Sequence, residues 1–443
     1  IDGDAVAVLN DPAAKQALEQ ECIAQVLADT PYPEFYRAAR ILAIIGGDAC
    51  VEPLAALLSN PEKAHLVRNV LESMNSEKAG EALRTALETT SGAQRIGVIS
   101  SVMVRKDALA VANLAKLLAD SDPATVSAAA NALGHIATPE AVQALESLLE
   151  SDDDTVRLAG SEALLRAARQ AQGETGAAIY TKLADPTMPD FIRTGAFTGL
   201  LEAQPDKALD RVIQTIRGDD ELLQLTAIAA LATLDDDAVA QKLSALLPGL
   251  PGNLQALVIN ALAERTEPAV LPLLHAVLES DSEEARLAAM RAIAVHGNVS
   301  SVAPLYEVIN RTDNRQERLA AVETLRRLHG EEVDSVLIDR MMDAPDAIRG
   351  DLMEVLAQRN AVSAVDAIID QIQYDALRPA AFRALTHIVG PERLEQMFSL
   401  LAALEDDNGR PEAESALAAL CKRIAADGKE LSVTLDTQLN NAA

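Results

Sequence analysis

The chain has 443 residues, 49% apolar and 2% aromatic with no tryptophan, and its 67 acids against 38 bases set a net charge of −29. This composition excludes a disordered polar chain, and its acidity argues against holding nucleic acid or anionic membranes, which bind through Lys and Arg. No 18-residue apolar run occurs, so no membrane-spanning helix is expected.

Helical patterning starts near Ala13 and is loose at first, in "YRAARILAIIG" (36–46), "HLVRNVLESM" (65–74) and "QRIGVISSVM" (94–103). It then becomes regular. A phrase of small and aliphatic residues ends on an apolar anchor at Leu133, Leu164, Leu200, Leu231, Leu262, Ile293, Leu325, Leu356, Leu385 and Leu417. The successive spacings are 31, 36, 31, 31, 31, 32, 31, 29 and 32 residues. A fixed period of this size marks stacked supersecondary units, each too small to bury its own apolar face. Before each phrase lies a second segment with apolar residues at helical spacing, such as "PEAVQALESLLES" (139–151) or "EPAVLPLLHAVLES" (267–280). Each unit therefore reads as two helices joined by Asp, Ser, Gly and Pro turns. Four positions before the anchor stands a small residue in most units, Gly160 and Ala289 among them; Val258 and Leu352 break the rule.

Acids precede the second helices, as in "SDDDTVRLAGSEALLRA" (151–167). Asp122, Asp153, Asp219, Asp281 and Asp313 are read as caps there, each stabilising by roughly 1 kcal/mol. Seven positions before the anchor comes an arginine: Arg157, Arg193, Arg286, Arg318, Arg349, Arg378 and Arg410. Recurrence in register with the core points to a structural ladder, in which each arginine pairs with an Asp at a loop of its own or a neighbouring unit.

The pattern Asp-x-x-x-Val-Arg-x-x-Ala-x-x-Ala-Leu, clearest in "DDTVRLAGSEAL" and "SEEARLAAMRAI", resembles the short bacterial HEAT repeats of the phycobilisome-lyase type. The resemblance runs from about 13 to about 426 and implies an all-α, right-handed α-α superhelix of about thirteen helix pairs. One solenoid over 1–443 is expected. The 36-residue step, with Gly173 and Gly176, suggests a joint near 168–177 between halves 1–170 and 174–426, and 427–443 reads as a cap or tail.

Resemblance also implies that the second helices carry the binding face. Positions two before and two after each anchor share one side of the helix. They give a candidate stripe of Asn131 and His135, Glu162 and Arg166, Glu202, Asn260 and Glu264, Arg291, Glu323 and Arg327, Glu354 and Gln358, and Arg383 and His387. Its mixed charge suits a folded partner or another domain of the same polypeptide better than a regular extended peptide. The net charge favours a basic protein.

Little in the sequence points to chemistry. No His-Glu-x-x-His, Cys-x-x-Cys, EF-hand loop, nucleophile elbow or phosphate-cradling loop occurs, so no metal, cofactor or catalytic residue is assigned. Cys22, Cys50 and Cys421 do not make a disulfide framework and read as small buried hydrophobes. Four of the six histidines end second helices, where a cation suits the helix dipole. The chain opens at Ile1 with no leader-like segment. It is expected to be soluble, cytoplasmic or exported after loss of a targeting segment, or part of a longer chain. The expected function is a non-enzymatic protein-binding scaffold. The alternatives are an accessory region of a larger enzyme and, because chromophore lyases share this repeat class, a bilin-type lyase or isomerase.

Overall fold

The computed structural model describes residues 3–426 apart from 29, 172, 237, 266 and 406. The expected cap or tail at 427–443 lies outside the described residues. Every regular element described is helical. The chain divides into two compact units, 1–211 with 220–226, and 212–219 with 227–443.

The first unit contains α1 (Gly3–Ala7), α2 (Pro12–Leu27), α3 (Tyr32–Ile45), α4 (Val51–Ala55), α5 (Ala64–Ser73), α6 (Glu77–Thr89) and α7 (Gly92–Val104). It continues with α8 (Val111–Leu117), α9 (Pro123–Ile136), α10 (Pro139–Glu146), α11 (Asp154–Ala171), α12 (Gly173–Leu183) and α13 (Asp190–Ala203). At the division stand α14 (Pro205–Ile216) and α15 (Glu221–Ala230). The second unit holds α16 (Val239–Leu246), α17 (Gly252–Leu262), α18 (Val270–Val277), α19 (Glu283–His296), α20 (Val302–Arg311) and α21 (Arg315–Arg327). It ends with α22 (Glu332–Asp343), α23 (Asp346–Gln358), α24 (Val365–Ile369), α25 (Arg378–Ile388), α26 (Leu394–Ala402) and α27 (Arg410–Ala426).

From α2/α3 to α26/α27 these helices form thirteen pairs in chain order. Within each unit the second helices pack on one another in a row: α3, α5, α7, α9, α11 and α13 in the first, α17, α19, α21, α23, α25 and α27 in the second. The first helices make the other layer. All ten anchors are buried, which explains the period: each closes the apolar layer between its own pair and the next. Small residues allow tight packing both along the row and within a pair. A Cβ on Gly134 of α9 would meet the Ala163 carbonyl of α11 at 2.6 Å, and one on Gly160 would meet Leu148 Cβ at 2.7 Å. Val258 and Leu352 are fully buried as well, so the larger side chain is accommodated there. The 36-residue step is absorbed by an 18-residue α11 and by α12, which starts on Gly173 in the left-handed region at φ 50°. Both elements lie in the first unit, and a joint there remains a proposal.

Candidate interaction surface on the second helices

The charged residues at the helix starts serve the fold in two different ways. Asp122 caps α9, accepting from the Ala124 and Thr125 amides at 3.2 Å and from the Thr125 hydroxyl at 2.7 Å. Asp153 caps α11 through the Thr155 amide at 2.8 Å. In the second unit the cap moves one residue on. Ser282 caps α19 and Asn314 caps α21, so Asp281 and Asp313 stand one position outside the caps.

The arginines do not pair with these four aspartates: Asp122 and Asp153 are taken up by backbone amides, and Asp281 and Asp313 stand outside the caps. Five of the seven close the turn inside their own repeat instead, while Arg193 and Arg318 reach forward to Asp220 and Asp351. Arg157 donates to the Ser151 carbonyl at 2.6 Å, Arg286 to Ser280 at 2.7 Å, Arg349 to Ala344 at 2.8 Å, Arg378 to Ile372 at 3.0 Å and Arg410 to Leu404 at 2.8 Å. Gln255, which replaces the arginine in its unit, donates to Leu250 at 2.9 Å. Their carboxylate partners lie elsewhere: Asp154 for Arg157, Asp220 for Arg193, Asp351 for Arg318, Asp375 for Arg378 and, more distantly, Asp346 for Arg349 and Asp407 for Arg410. Arg286 grips Glu317 of the next second helix with Nε at 2.5 Å and Nη2 at 3.2 Å. Glu317 is 3% exposed. Burial works against its charge, yet Arg286 and Thr312 hold its carboxyl below the ordinary range.

A second set of cations escaped the sequence reading. Near the ends of second helices Arg105, Arg265, Arg359 and Arg423 reach back to the previous second helix and bind its terminal carbonyls. Arg105 donates to Leu71, Met74 and Ser76, Arg265 to Leu231 and Leu234, Arg359 to Leu325 and Leu328, and Arg423 to Thr386 and Val389. His296 does the same for Ala263, at 2.5 Å. Each satisfies orphan carbonyls at a helix C-terminus and meets the negative end of its dipole. The signal was present: Arg265, His296 and Arg359 stand three residues after their anchors.

The candidate stripe lies along the second helices of each unit. Glu162, Glu202, Asn260, Glu264, Arg291, Arg327, Gln358, Arg383 and His387 are exposed, while Asn131, His135, Arg166, Glu323 and Glu354 are half-buried. Several stripe charges are engaged locally. Glu323 accepts from Arg326 and Arg327, and these bonds bring its carboxyl down to about 2. Gln358 donates to Glu354 at 2.5 Å, and Arg383 pairs with Glu412 at 3.3 Å. Aliphatic residues stand at the corresponding repeat position in each unit. Ile44, Val104 and Val295 follow the buried Leu42, Val102 and Ile293 by two positions and are 42%, 59% and 58% exposed.

Beside the stripe in the first unit, a groove of about 340 Å³ runs between α11, α12 and α13. Its walls include Arg169, Phe191 and Glu202, and its floor is the Tyr180 ring, which packs where a Cβ on Gly199 would sit. Burial raises the Tyr180 hydroxyl pKa, and Glu202 adds to this. Chemically reactive groups are scarce. Cys22 and Cys50 are buried thiols, and burial with the nearby Glu19 pushes Cys50 up to about 11, so its thiolate is disfavoured. Among the described residues no group of three His, Cys, Asp or Glu side chains converges to hold a metal. No described helix is long and apolar enough to cross a membrane.

Family models place the same architecture on the chain. HEAT repeats match residues 80–165 and 244–326, and the PBS lyase HEAT-like repeat matches residues 35–60. The chain is a HEAT-repeat protein. No curated protein matches it. Among solved structures, Kap121p bound to Pho4p is 10% identical with a TM-score of 0.44, over 96% of this chain and 57% of Kap121p. Human deoxyhypusine hydroxylase in complex with glycerol is 19% identical with a TM-score of 0.24, over 64% of this chain and 99% of that one. The HEAT-repeat chain thus spans little more than half the length of the Kap121p it matches.

Proposed function

We propose that this HEAT-repeat protein is a non-enzymatic scaffold whose partner is another protein, held on the second-helix row. The observation that carries this reading is the repeated exposure of Ile44, Val104 and Val295 at one position of the repeat, two residues past a buried anchor. Burying such side chains at an interface releases about 25 cal/mol per Å² of apolar area. Around them lie Arg, Glu, Asn and Gln side chains that supply a polar rim. The net charge of −29 favours basic surfaces on a partner over most of its area. The test is cross-linking with mass spectrometry from the source cells at low and high salt. Cross-links from one protein to α7, α9, α19 or α21 support the scaffold, and cross-links confined to the first helices contradict it.

A further inference from the structure

We infer that the first unit carries an acceptor for an acidic segment of a protein partner, built from Lys106, His135 and Arg166 on three consecutive repeats with Val104 beside them. The inference rests on the scaffold reading and gives it a location and a chemistry. Lys106 follows α7 in the left-handed region, at φ 49°, and its Nζ stands 3.5 Å from Gln170 Oε1 on α11. It therefore spans the end of α9, where His135 sits. Arg166 and Lys106 are both close enough to His135 to act, after burial, in holding its pKa below the ordinary histidine value. Three basic side chains from α9, α11 and the residues after α7 thus gather at one point of the row.

What sets the cluster apart is the lack of carboxylates. Several other cations of the same unit are matched: Arg84 with Asp107 at 2.6 Å, Arg95 with Asp120 at 2.8 Å and Lys182 with Glu146 at 2.5 Å. Among the described residues, none of Lys106, His135 and Arg166 has an acid within ion-pair distance, and Glu162, one turn before Arg166, does not pair with it. In a chain of charge −29 a local cluster of unpaired bases is complementary to carboxylates, and such complementarity sets specificity and on-rate. Val104 is exposed two residues before Lys106, so the matching segment carries an aliphatic residue next to its acids. A nucleic acid is the poorer occupant: three bases release few counterions, and the rest of the surface repels a long polyanion.

The experiment uses the full chain and a labelled soluble peptide with several glutamates and two leucines, beside its glutamine and lysine counterparts. Fluorescence anisotropy at low and high salt reads the binding. The glutamate peptide should bind about tenfold or more tightly than the glutamine one, with the difference shrinking at high salt. The double variant Lys106→Glu/Arg166→Glu should lose about tenfold for the glutamate peptide and gain affinity for the lysine peptide. The control Lys15→Glu/Lys207→Glu, on the first helices α2 and α14, should bind like the parent, and all three proteins should melt alike by circular dichroism. Equal affinity for the glutamate and glutamine peptides, or equal losses in the two double variants, would overturn the inference. So would sedimentation showing that the parent dimerises and the Lys106→Glu/Arg166→Glu variant does not, since the occupant would then be a second copy. If the cluster variant keeps every protein cross-linked to the row, the acidic acceptor fails and the scaffold stands. If the parent cross-links to no protein, the scaffold fails as well.

Discussion

The same stripe positions treat charge differently in the two units. In the first, Lys106, His135 and Arg166 meet no carboxylate. In the second, Glu323 is held by Arg326 and Arg327, Glu354 accepts from Gln358, and Arg383 pairs with Glu412. A stripe read by residue type makes these regions look alike. What separates them is the neighbour three or four residues along the helix or on the next repeat, which decides whether a surface charge is left for a partner. The second unit ties Glu323 and Arg383 to charged neighbours; the first leaves Lys106, His135 and Arg166 open.

The largest effect expected from this contrast lies in the second unit. Glu317→Ala would leave the half-buried Arg286 guanidinium without its carboxylate and should lower stability by about 2–3 kcal/mol in chemical denaturation, loosening α19 against α21. A loss below about 1 kcal/mol would mean that the pair does not tie the repeats. Next comes Arg359→Ala, which frees the Leu325 and Leu328 carbonyls. It should cost about 1–3 kcal/mol, and faster amide hydrogen exchange at the end of α21 would locate the damage. In the first unit, Gly199→Ala pushes a methyl into the Tyr180 ring and should destabilise by about 1–3 kcal/mol. Gly195→Ala, with Leu165 at 3.6 Å, has room for its methyl and should stabilise by about 0.5–1 kcal/mol. Similar costs for the two would show that the α12–α13 packing is not as described.

The smallest effect is a pH dependence. The Glu323 carboxyl is held at about 2, against an ordinary 4.5, by its bonds to Arg326 and Arg327. A depressed folded pKa adds stability above the unfolded value, and that contribution disappears as pH falls from about 4.5 towards about 2. Because the pair is close to half exposed, solvent screening keeps its worth under about 1 kcal/mol. Glu323→Gln should therefore melt slightly below the parent at neutral pH and level with it in acid. A gap that persists in acid would assign the effect to packing.

The repeat architecture was legible because its signal is periodic: one anchor every 31 residues or so has to be buried, and Leu133, Leu262 and Leu356 are. Val258 and Leu352 show that the small position is a preference and not a requirement. The capping role of Asp122 was readable because a cap is local, two or three residues from its amides. Partners 31 to 34 residues away were not. Arg265, Arg286 and Arg359 each act on a neighbouring repeat, and the offset that brings them together comes from how one pair stacks on the next. For the same reason the exposure of Ile44 and Val104 was hidden, since both lie in helical runs that read as core.

The central claim is that the second-helix row of this HEAT-repeat protein holds another protein. Hydrogen exchange of the full chain, alone and with the partner recovered by cross-linking, tests it most directly. The account predicts slowed exchange around Val104, Lys106, His135 and Arg166 on binding, with the first helices unchanged. Protection on the first helices alone, with none on the row, would contradict it.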